Sequence, residues 1–169
     1  LSAASTNTVT VDTTAPTASV TTATITNTAT ESATVQSTET GTAYLVKSTV
    51  TVTNLASITG AADTSWNQVT ITTANTDTSL AATGLVDGSY KAYSADAVGN
   101  LSAASTNTVT IDTTAPTASV TTATIANTGS ATVQSTETGT AYLVKSTVTV
   151  TNLASITGAA DTSWNQVTI

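Results

Sequence analysis

The sequence predicts an all-β fold made of tandem domains with a period near 100 residues. Residues 101–120 repeat residues 1–20 with one change, and residues 130–169 repeat residues 32–71 without any change. This period matches a small domain and is too long for one coil of a solenoid. Val and Ile alternate with Thr along several segments, as in a half-buried strand. An apolar content of 39% and only two prolines argue against a disordered Thr-rich stalk.

The repeat divides the chain into three parts. Residues 1–12 match the last strand of a repeat, residues 13–112 form one complete repeat, and residues 113–169 match the beginning of the next. We therefore expect a stretch of a longer tandem array, in which the main partners of each domain are neighbouring repeats of the same chain.

Turn residues separate the strands predicted within the complete repeat. We predict strand A at residues 18–25, B at 33–37, C at 43–47, E at 68–72, F at 89–96 and G at 106–112, with a further strand or a continuation of C at 49–54. Gly41, Gly60, Gly88 and Asn100 supply turn conformations between them. Over residues 54–66 the sequence has no clear strand pattern. Short strands with regular turns predict a β-sandwich, and it has no disulfide because the chain has no cysteine.

The composition excludes several classes of function. The chain has no Cys, Met, His, Phe or Arg, so catalysis and metal binding that need imidazole or thiolate are ruled out, and we expect no enzyme. A net charge of -7 would repel nucleic acid and anionic membrane surfaces. No apolar run approaches the length of a membrane span, so direct membrane insertion is not expected.

A tyrosine follows a predicted turn before strand F. Residues 85–92 read Leu-Val-Asp-Gly-Ser-Tyr-Lys-Ala, and this segment resembles the tyrosine corner of immunoglobulin-like domains, with Tyr90 as the anchoring residue. Ala92 stands where antibody domains carry a cysteine. The alternative interpretation is a generic Asp-Gly turn followed by a core tyrosine.

The junction sequences carry a second resemblance. Residues 109–117, their copy at residues 9–17, and residues 94–102 resemble the boundaries of bacterial immunoglobulin-like repeats. Such repeats fill the stalks of biofilm-associated and repeats-in-toxin (RTX) type surface adhesins. The resemblance implies Greek-key sandwiches on the bacterial cell surface, outside the cell. There they would act as extenders that hold a terminal adhesive module of unknown ligand away from the cell, with calcium stiffening the joints.

Oxygen-bearing side chains are placed for such calcium sites. In a sandwich, the chain passes from one end to the other, so linker acids come close to loop acids of the adjoining domains. At one joint we expect Asp112 beside Asp87 and Glu137; at the other we expect Asp12 beside Glu39, Asp96 and Asn100. Calcium takes six to eight oxygen ligands of this kind. Asp63 and Asp77 are interpreted as solvated turn residues.

Prolines in the junctions should limit linker movement. Pro16 and Pro116 each follow an alanine in the repeated Asp-Thr-Thr-Ala-Pro segment. Proline fixes one backbone angle and biases the residue before it toward extended conformations. We expect both linkers to be restricted even without metal.

Two other functions remain open on the sequence. Thr at alternate positions of residues 49–53 would present an ordered hydroxyl array if that strand were flat, which is typical of ice-binding β-proteins. Trp66 and Trp164 precede a strand, where an indole could stack on a glycan, although packing at the edge of the core is the alternative role.

Overall fold

The computed structural model describes residues 5–169 and is mostly β. It contains two compact units, Leu1–Thr113 and Thr114–Ile169, called unit 1 and unit 2 below. Of the strand predicted at residues 1–12, the first four residues lie outside the described part. Residues 5–12 form no strand, although their copy at residues 105–112, which differs only in Ile111 for Val11, contains one.

Unit 1 contains two sheets. The first consists of β1 (Ala18–Val20), β3 (Ser32–Ser37) and β6 (Thr78–Ala81), in the order β1-β3-β6. The second consists of β2 (Ala23–Ile25), β4 (Gly41–Lys47), β5 (Trp66–Ile71), β7 (Gly88–Asp96) and β8 (Val109–Ile111), in the order β2-β8-β7-β4-β5. All pairs are antiparallel except β2 with β8, which are parallel.

The two sheets share one hydrophobic core. Val20, Val35 and Leu80 come from the first sheet, whereas Leu45 and Tyr90 come from the second, and all five belong to a single buried cluster. Successive strand residues point to opposite faces, and the alternation of buried and less buried residues along β3 follows that period. The predicted all-β class is therefore confirmed, with the core between the sheets.

The predicted strand A is two strands in different sheets. β1 pairs antiparallel with β3 in the first sheet, whereas β2 pairs parallel with β8 in the second. Two residues, Thr21 and Thr22, separate them. The continuous alternation over residues 18–25 could not reveal this change of sheet, because both strands bury alternate residues against the same core.

The prediction of a strand at residues 49–54 is wrong. β4 ends at Lys47, a turn follows, and the chain continues unpaired to the short helix α1 (Leu55–Thr59). The pairing of β4 with β5 ends at Val46 and its pairing with β7 ends at Lys47, so residues 49–54 have no partner strand on either side. The segment therefore cannot extend the sheet.

The valines of this segment cover a second apolar cluster. Val50 and Val52 pack against buried Tyr44, Val46 and Ile58. The alternation of Thr and Val in residues 49–53 thus reflects alternating burial in an unpaired segment. A capping box begins α1. The side chain of Asn54 accepts a hydrogen bond from the backbone N–H of Ser57, and the side chain of Ser57 accepts one from the backbone N–H of Asn54.

One strand of unit 1, β6, was not predicted from the sequence. The strand predicted at residues 68–72 overlaps β5, which ends at Ile71 and pairs with β4. The strand that pairs with β3 is β6, with Ala33 opposite Leu80. β6 has only four residues and one buried large side chain, so its alternation is too short to stand out.

Two serines, Ser102 and Ser105, bind β7 through hydrogen bonds of their backbone and side chains, without forming a strand. The backbone N–H of Ser102 donates to the carbonyl of Ser94, and its Oγ accepts from the N–H of Ser94, at 2.8 and 2.9 Å. Ser105 makes the same two bonds with Ala92, also at 2.8 and 2.9 Å. The predicted strand G is shorter than residues 106–112, because only Val109–Ile111 pair with β2 and β7.

Unit 2 repeats the first half of unit 1. Its strands are β9 (Ala118–Val120), β10 (Val133–Ser135), β11 (Thr140–Val144) and β12 (Trp164–Thr168), and its helix is α2 (Leu153–Thr157). β9 pairs with β10 and β11 pairs with β12, both antiparallel. In the described part of the chain, no helix is long and apolar enough to cross a membrane.

Candidate functional site

Three carboxylates converge at one end of unit 1. One oxygen each from Asp12, Glu39 and Asp96 lies within 4.8 Å of the other two. Asp12 belongs to the segment before β1, Glu39 to the turn between β3 and β4, and Asp96 is the last residue of β7. Three separate parts of the chain therefore supply the cluster, as the sequence analysis expected for this junction.

The loop after β7 holds the Asp96 carboxylate in place. Its Oδ1 accepts from the backbone N–H groups of Val98, Gly99 and Asn100 at 3.0, 2.7 and 2.8 Å, and its Oδ2 accepts from Asn100 Nδ2 at 2.7 Å. Partial desolvation raises the pKa of this carboxyl, but the bonds from Asn100, Gly99 and Val98 outweigh it, so the pKa lies below 3.8. Asp96 is therefore ionised throughout the neutral range.

Asn100 also joins the loop to the segment before β1. Its Nδ2 donates to the backbone carbonyl of Asp12 at 3.2 Å, in addition to its bond with Asp96. The carboxylate of Asp12 accepts from the backbone N–H of Thr14 at 2.9 Å. The bond from Asn100 thus holds the backbone of Asp12 beside the loop, whereas the bond to Thr14 is local.

This arrangement suits a hard divalent cation. The cluster offers three carboxylates, and no histidine or cysteine is available anywhere in the chain. Like charges at such short range repel each other, and a bound cation would remove that repulsion. Calcium accepts irregular sets of carboxylate and carbonyl oxygens, whereas magnesium demands near-octahedral geometry. The ligands expected at this joint are therefore of the right chemical type for calcium.

The residues of the other predicted joint belong to both units. Asp87 Oδ1 accepts from the backbone N–H and the Oγ1 of Thr113 at 3.0 and 2.6 Å. The backbone N–H of Asp112 donates to the carbonyl of Ile25 at 3.0 Å and so extends the pairing of β2 with β8. Glu137, in unit 2, is exposed. A calcium site formed by Asp87, Asp112 and Glu137 stays a prediction.

Tyr90 makes the hydrogen bonds expected of a tyrosine corner. Its ring is fully buried, and its hydroxyl donates to the carbonyl of Val86 at 2.6 Å, with a second contact to the carbonyl of Thr64 at 3.3 Å. Burial raises the pKa of this hydroxyl above 10.0, and the nearby Asp87 carboxylate raises it further. The hydroxyl therefore stays protonated and anchors the turn before β7 to two backbone segments.

The two prolines precede equivalent hydrogen bonds. After Pro16, the backbone N–H of Thr17 donates to the Oγ1 of Thr38 at 2.8 Å; after Pro116, the N–H of Thr117 donates to the Oγ1 of Thr136 at 2.9 Å. Pro16 is buried, whereas Pro116 is exposed. In both units the residue after the proline is thus tied to the turn that carries the glutamate.

The tryptophans pack within their units. The Trp66 ring is half-buried, lies 6.1 Å from the Tyr44 ring with an interplanar angle of 46°, and contacts the second apolar cluster. Trp164 and Tyr142 repeat this pair at 6.0 Å and 50°. This packing is the role of a residue at the edge of the core and gives no support to glycan stacking.

The remaining polar positions have local roles. Asp77 Oδ1 accepts from Gln36 Nε2 at 2.6 Å, and Asp63 begins a short 3-10 helix (Asp63–Ser65). Both lie outside the carboxylate cluster, in agreement with their interpretation as turn residues. The threonines of residues 49–53 lie outside any strand, so the flat hydroxyl array proposed for ice binding is not formed there.

Four of the predicted ligands, Asp12, Glu39, Asp96 and Asn100, thus lie together. No family model matches the chain, and neither a curated protein nor a solved structure matches it. The function is therefore inferred from the residues and the repeat.

Proposed function

We propose that the chain is a structural extender, part of a tandem array that holds a terminal adhesive module away from a bacterial cell surface. The repeat supports this role, because near-identical copies carry the same side chains and no chemistry that distinguishes one from the next. The absence of histidine and cysteine supports a mechanical rather than a catalytic role.

The fold favours an immunoglobulin-like assignment for each repeat. A first strand divided between two sheets, with its second part parallel to the last strand, is compatible with a Greek-key sandwich of this class. The hydrogen bond from Tyr90 to the carbonyl four residues before it is a second supporting feature. A sandwich that the chain crosses from end to end suits a spacer, because repeats then add length in series.

The carboxylate cluster carries the proposal of a calcium-stiffened joint. Asp12 lies before the repeat, whereas Glu39 and Asp96 belong to two turns of the repeat itself. A calcium ion held by all three would tie the preceding linker to the end of the domain. The bond from Asn100 to the backbone of Asp12 already brings the linker there, so the ion would need little rearrangement.

A tandem array of the 100-residue repeat tests the mechanical role. Small-angle X-ray scattering should show a larger maximum dimension in calcium than in EDTA, because stiff joints keep the domains in line. An array with Glu39→Gln in every copy should lose this difference, and Asp63→Asn, which removes a charge outside the cluster, should keep it. An array that is collapsed in both solutions would contradict the extender proposal.

Cellular location is a separate test. Antibodies raised against the folded repeat should label intact cells of the source organism, and brief protease treatment of those cells should remove the label. Labelling that appears only after the cells are permeabilised would contradict a surface location and would leave the calcium proposal untouched.

A further inference from the structure

A segment between β4 and β5 lies against the face of β4 that is turned away from the core between the sheets. This segment, residues 51–61, contains α1 and is called the strap below. Its Val52, Leu55 and Ile58 pack in the second apolar cluster, and of these three only Ile58 is fully buried. A few apolar side chains therefore hold the strap against the sheet.

The strap satisfies its hydrogen bonds internally. Among the residues that the structure describes, every hydrogen bond of the strap joins two residues of the strap itself. Besides the capping box of α1, the backbone N–H of Gly60 donates to the carbonyl of Ala56 at 2.9 Å, and that of Ala61 donates to the carbonyl of Ile58 at 3.1 Å. The same bonds recur in the identical sequence of residues 149–159. The strap therefore shares no hydrogen bond with either sheet.

Both ends of the strap are anchored beside the start of β7. Before the strap, the backbone N–H of Ser48 donates to the carbonyl of Ser89 at 2.8 Å. After it, the carbonyl of Thr64 accepts from the backbone N–H of Val86 at 3.1 Å and from the hydroxyl of Tyr90 at 3.3 Å. These bonds lie outside the strap, so they can persist when the strap leaves the sheet.

Aromatic side chains belong to the cluster in which the strap packs. They are Tyr44, Trp66 and Tyr93, from three neighbouring strands of the five-stranded sheet. The indole Nε1 of Trp66 is buried and has no acceptor among the described residues. A buried N–H without an acceptor costs free energy that is recovered when water reaches it. This cost weakens the second apolar cluster and leaves the core between the sheets unaffected, because that core lies on the other face of β4.

We propose that the strap opens as one unit while the two sheets stay folded, and that its opening exposes the aromatic face formed by Tyr44, Trp66 and Tyr93. Opening breaks apolar contacts only, because the hydrogen bonds of the strap are internal and its anchors lie outside it. The chain entropy regained by the open strap offsets the lost contacts. Segments with few buried apolar contacts open locally in this way. The proposal goes beyond the extender role and depends neither on that role nor on calcium.

Native-state hydrogen exchange of the 169-residue chain, resolved by residue with NMR, tests the proposal. The amides of Gly60 and Ala61 should exchange at least about tenfold faster than the β4 amides in the ladder with β7, because the strap opens without the sheets. Val35→Ala weakens the core, which stays intact when the strap opens. It should therefore speed exchange in β4 by about tenfold and leave Gly60 and Ala61 unchanged. Equal acceleration of the strap and β4 would overturn the proposal, because both would then exchange only through global unfolding.

Variants within the strap separate opening of the whole segment from fraying of α1. Ile58→Ala should speed exchange at Gly60 and Ala61 by the same factor, about tenfold or more, because its side chain holds the closed strap. Thr51→Ala, at an exposed strap position, is the matched control and should leave both rates unchanged. Unchanged or unequal acceleration in Ile58→Ala would contradict opening as one unit.

A charged variant should hold the strap open. In a Trp164→Phe background, Ile58→Asp should shift the Trp66 emission to longer wavelength, because a buried charge is excluded from the second apolar cluster. Amides of β7 should stay protected from exchange in this variant, because the core between the sheets is retained. Loss of protection along β7 would overturn the proposal, since it would mean that the sheets cannot remain folded without the strap.

Discussion

Glu39→Gln should have opposite effects on unit 1 in the presence and absence of calcium. Without calcium, the carboxylate of Glu39 lies within 4.8 Å of those of Asp12 and Asp96, so removing its charge relieves repulsion and should stabilise the unit. With calcium, the same substitution removes a charged ligand, so the stabilisation by the ion should fall. A residue with a purely local role would not produce this reversal.

The size of the calcium effect follows from linkage. Extracellular calcium modules have dissociation constants of about 10⁻⁴ to 10⁻³ M, so about 10 mM calcium stabilises the folded unit by about 1.4 to 2.7 kcal/mol. For a domain near 100 residues this raises the Tm by roughly 6 to 20 °C. A tenfold weaker site in the Glu39→Gln variant would reduce the stabilisation to about 0.4 to 1.4 kcal/mol.

Thermal unfolding followed by tryptophan fluorescence measures this increment. A Trp164→Phe background restricts the signal to Trp66, which packs in unit 1. Each variant is melted in EDTA, in calcium and in magnesium, and magnesium should stabilise less because it tolerates irregular ligand sets poorly. Asp63→Asn is the matched control, since its carboxylate lies outside the cluster, and its calcium increment should equal that of the parent chain.

Two results would refute this reasoning. One is a calcium increment that is the same in the Glu39→Gln variant as in the parent chain, because a ligand cannot be lost without weakening the site. The other is a Tm in EDTA that falls on substitution, because this would mean that Glu39 stabilises unit 1 without any ion.

Three further predictions concern stability. Leu45→Ala should destabilise the unit by about 2 to 5 kcal/mol, whereas Leu143→Ala, in the same local sequence but half exposed, should cost less than about 1 kcal/mol; urea unfolding of both variants checks this contrast. Tyr90→Phe should cost about 1 to 2 kcal/mol in the same assay, because the carbonyl of Val86 loses its donor. In calcium-free buffer, the lowered pKa of Asp96 stabilises the fold above its unfolded pKa of about 3.9, and this contribution is lost as the pH falls through the lower folded value. Urea midpoints between about pH 5 and pH 3 should therefore drop less in Asp96→Asn than in the parent chain.

The predicted strands with strong alternation correspond to observed ones. β3, β4 and β7 each extend one or two residues beyond the predicted bounds. Buried positions recur every second residue along β3 and most of β7, whereas residues 43–46 of β4 are all buried, because the two faces of this strand contact different apolar clusters. Alternation predicted a strand wrongly at residues 49–54, where every second side chain is partly buried but no partner strand lies beside the segment. It also failed for β6, which is too short to carry a pattern. Local periodicity reports which side chains are buried, and it does not report whether a sheet edge is free.

The candidate site was predictable at one joint because its geometry follows from strand order. Turns between β3 and β4 and after β7 lie at the same end of neighbouring antiparallel strands, so Glu39 and Asp96 meet there. The three backbone bonds to Asp96 were not predictable, since they depend on the conformation of a four-residue loop. Gly99 supports that loop with a φ of 96°, which glycine adopts without strain.

The sequence by itself determined the repeat, the all-β class and which apolar side chains are available for a core. Only the tertiary structure decided which of them are buried. Residues 23–25 and 123–125 have the same sequence, yet only the first form a strand, because β8 lies beside them. Val9 is 92% exposed, whereas its copy Val109 is 0% exposed between β2 and β7. The physical reason is that a strand cannot satisfy its backbone hydrogen bonds by itself. It is paired and buried only where another part of the chain lies beside it.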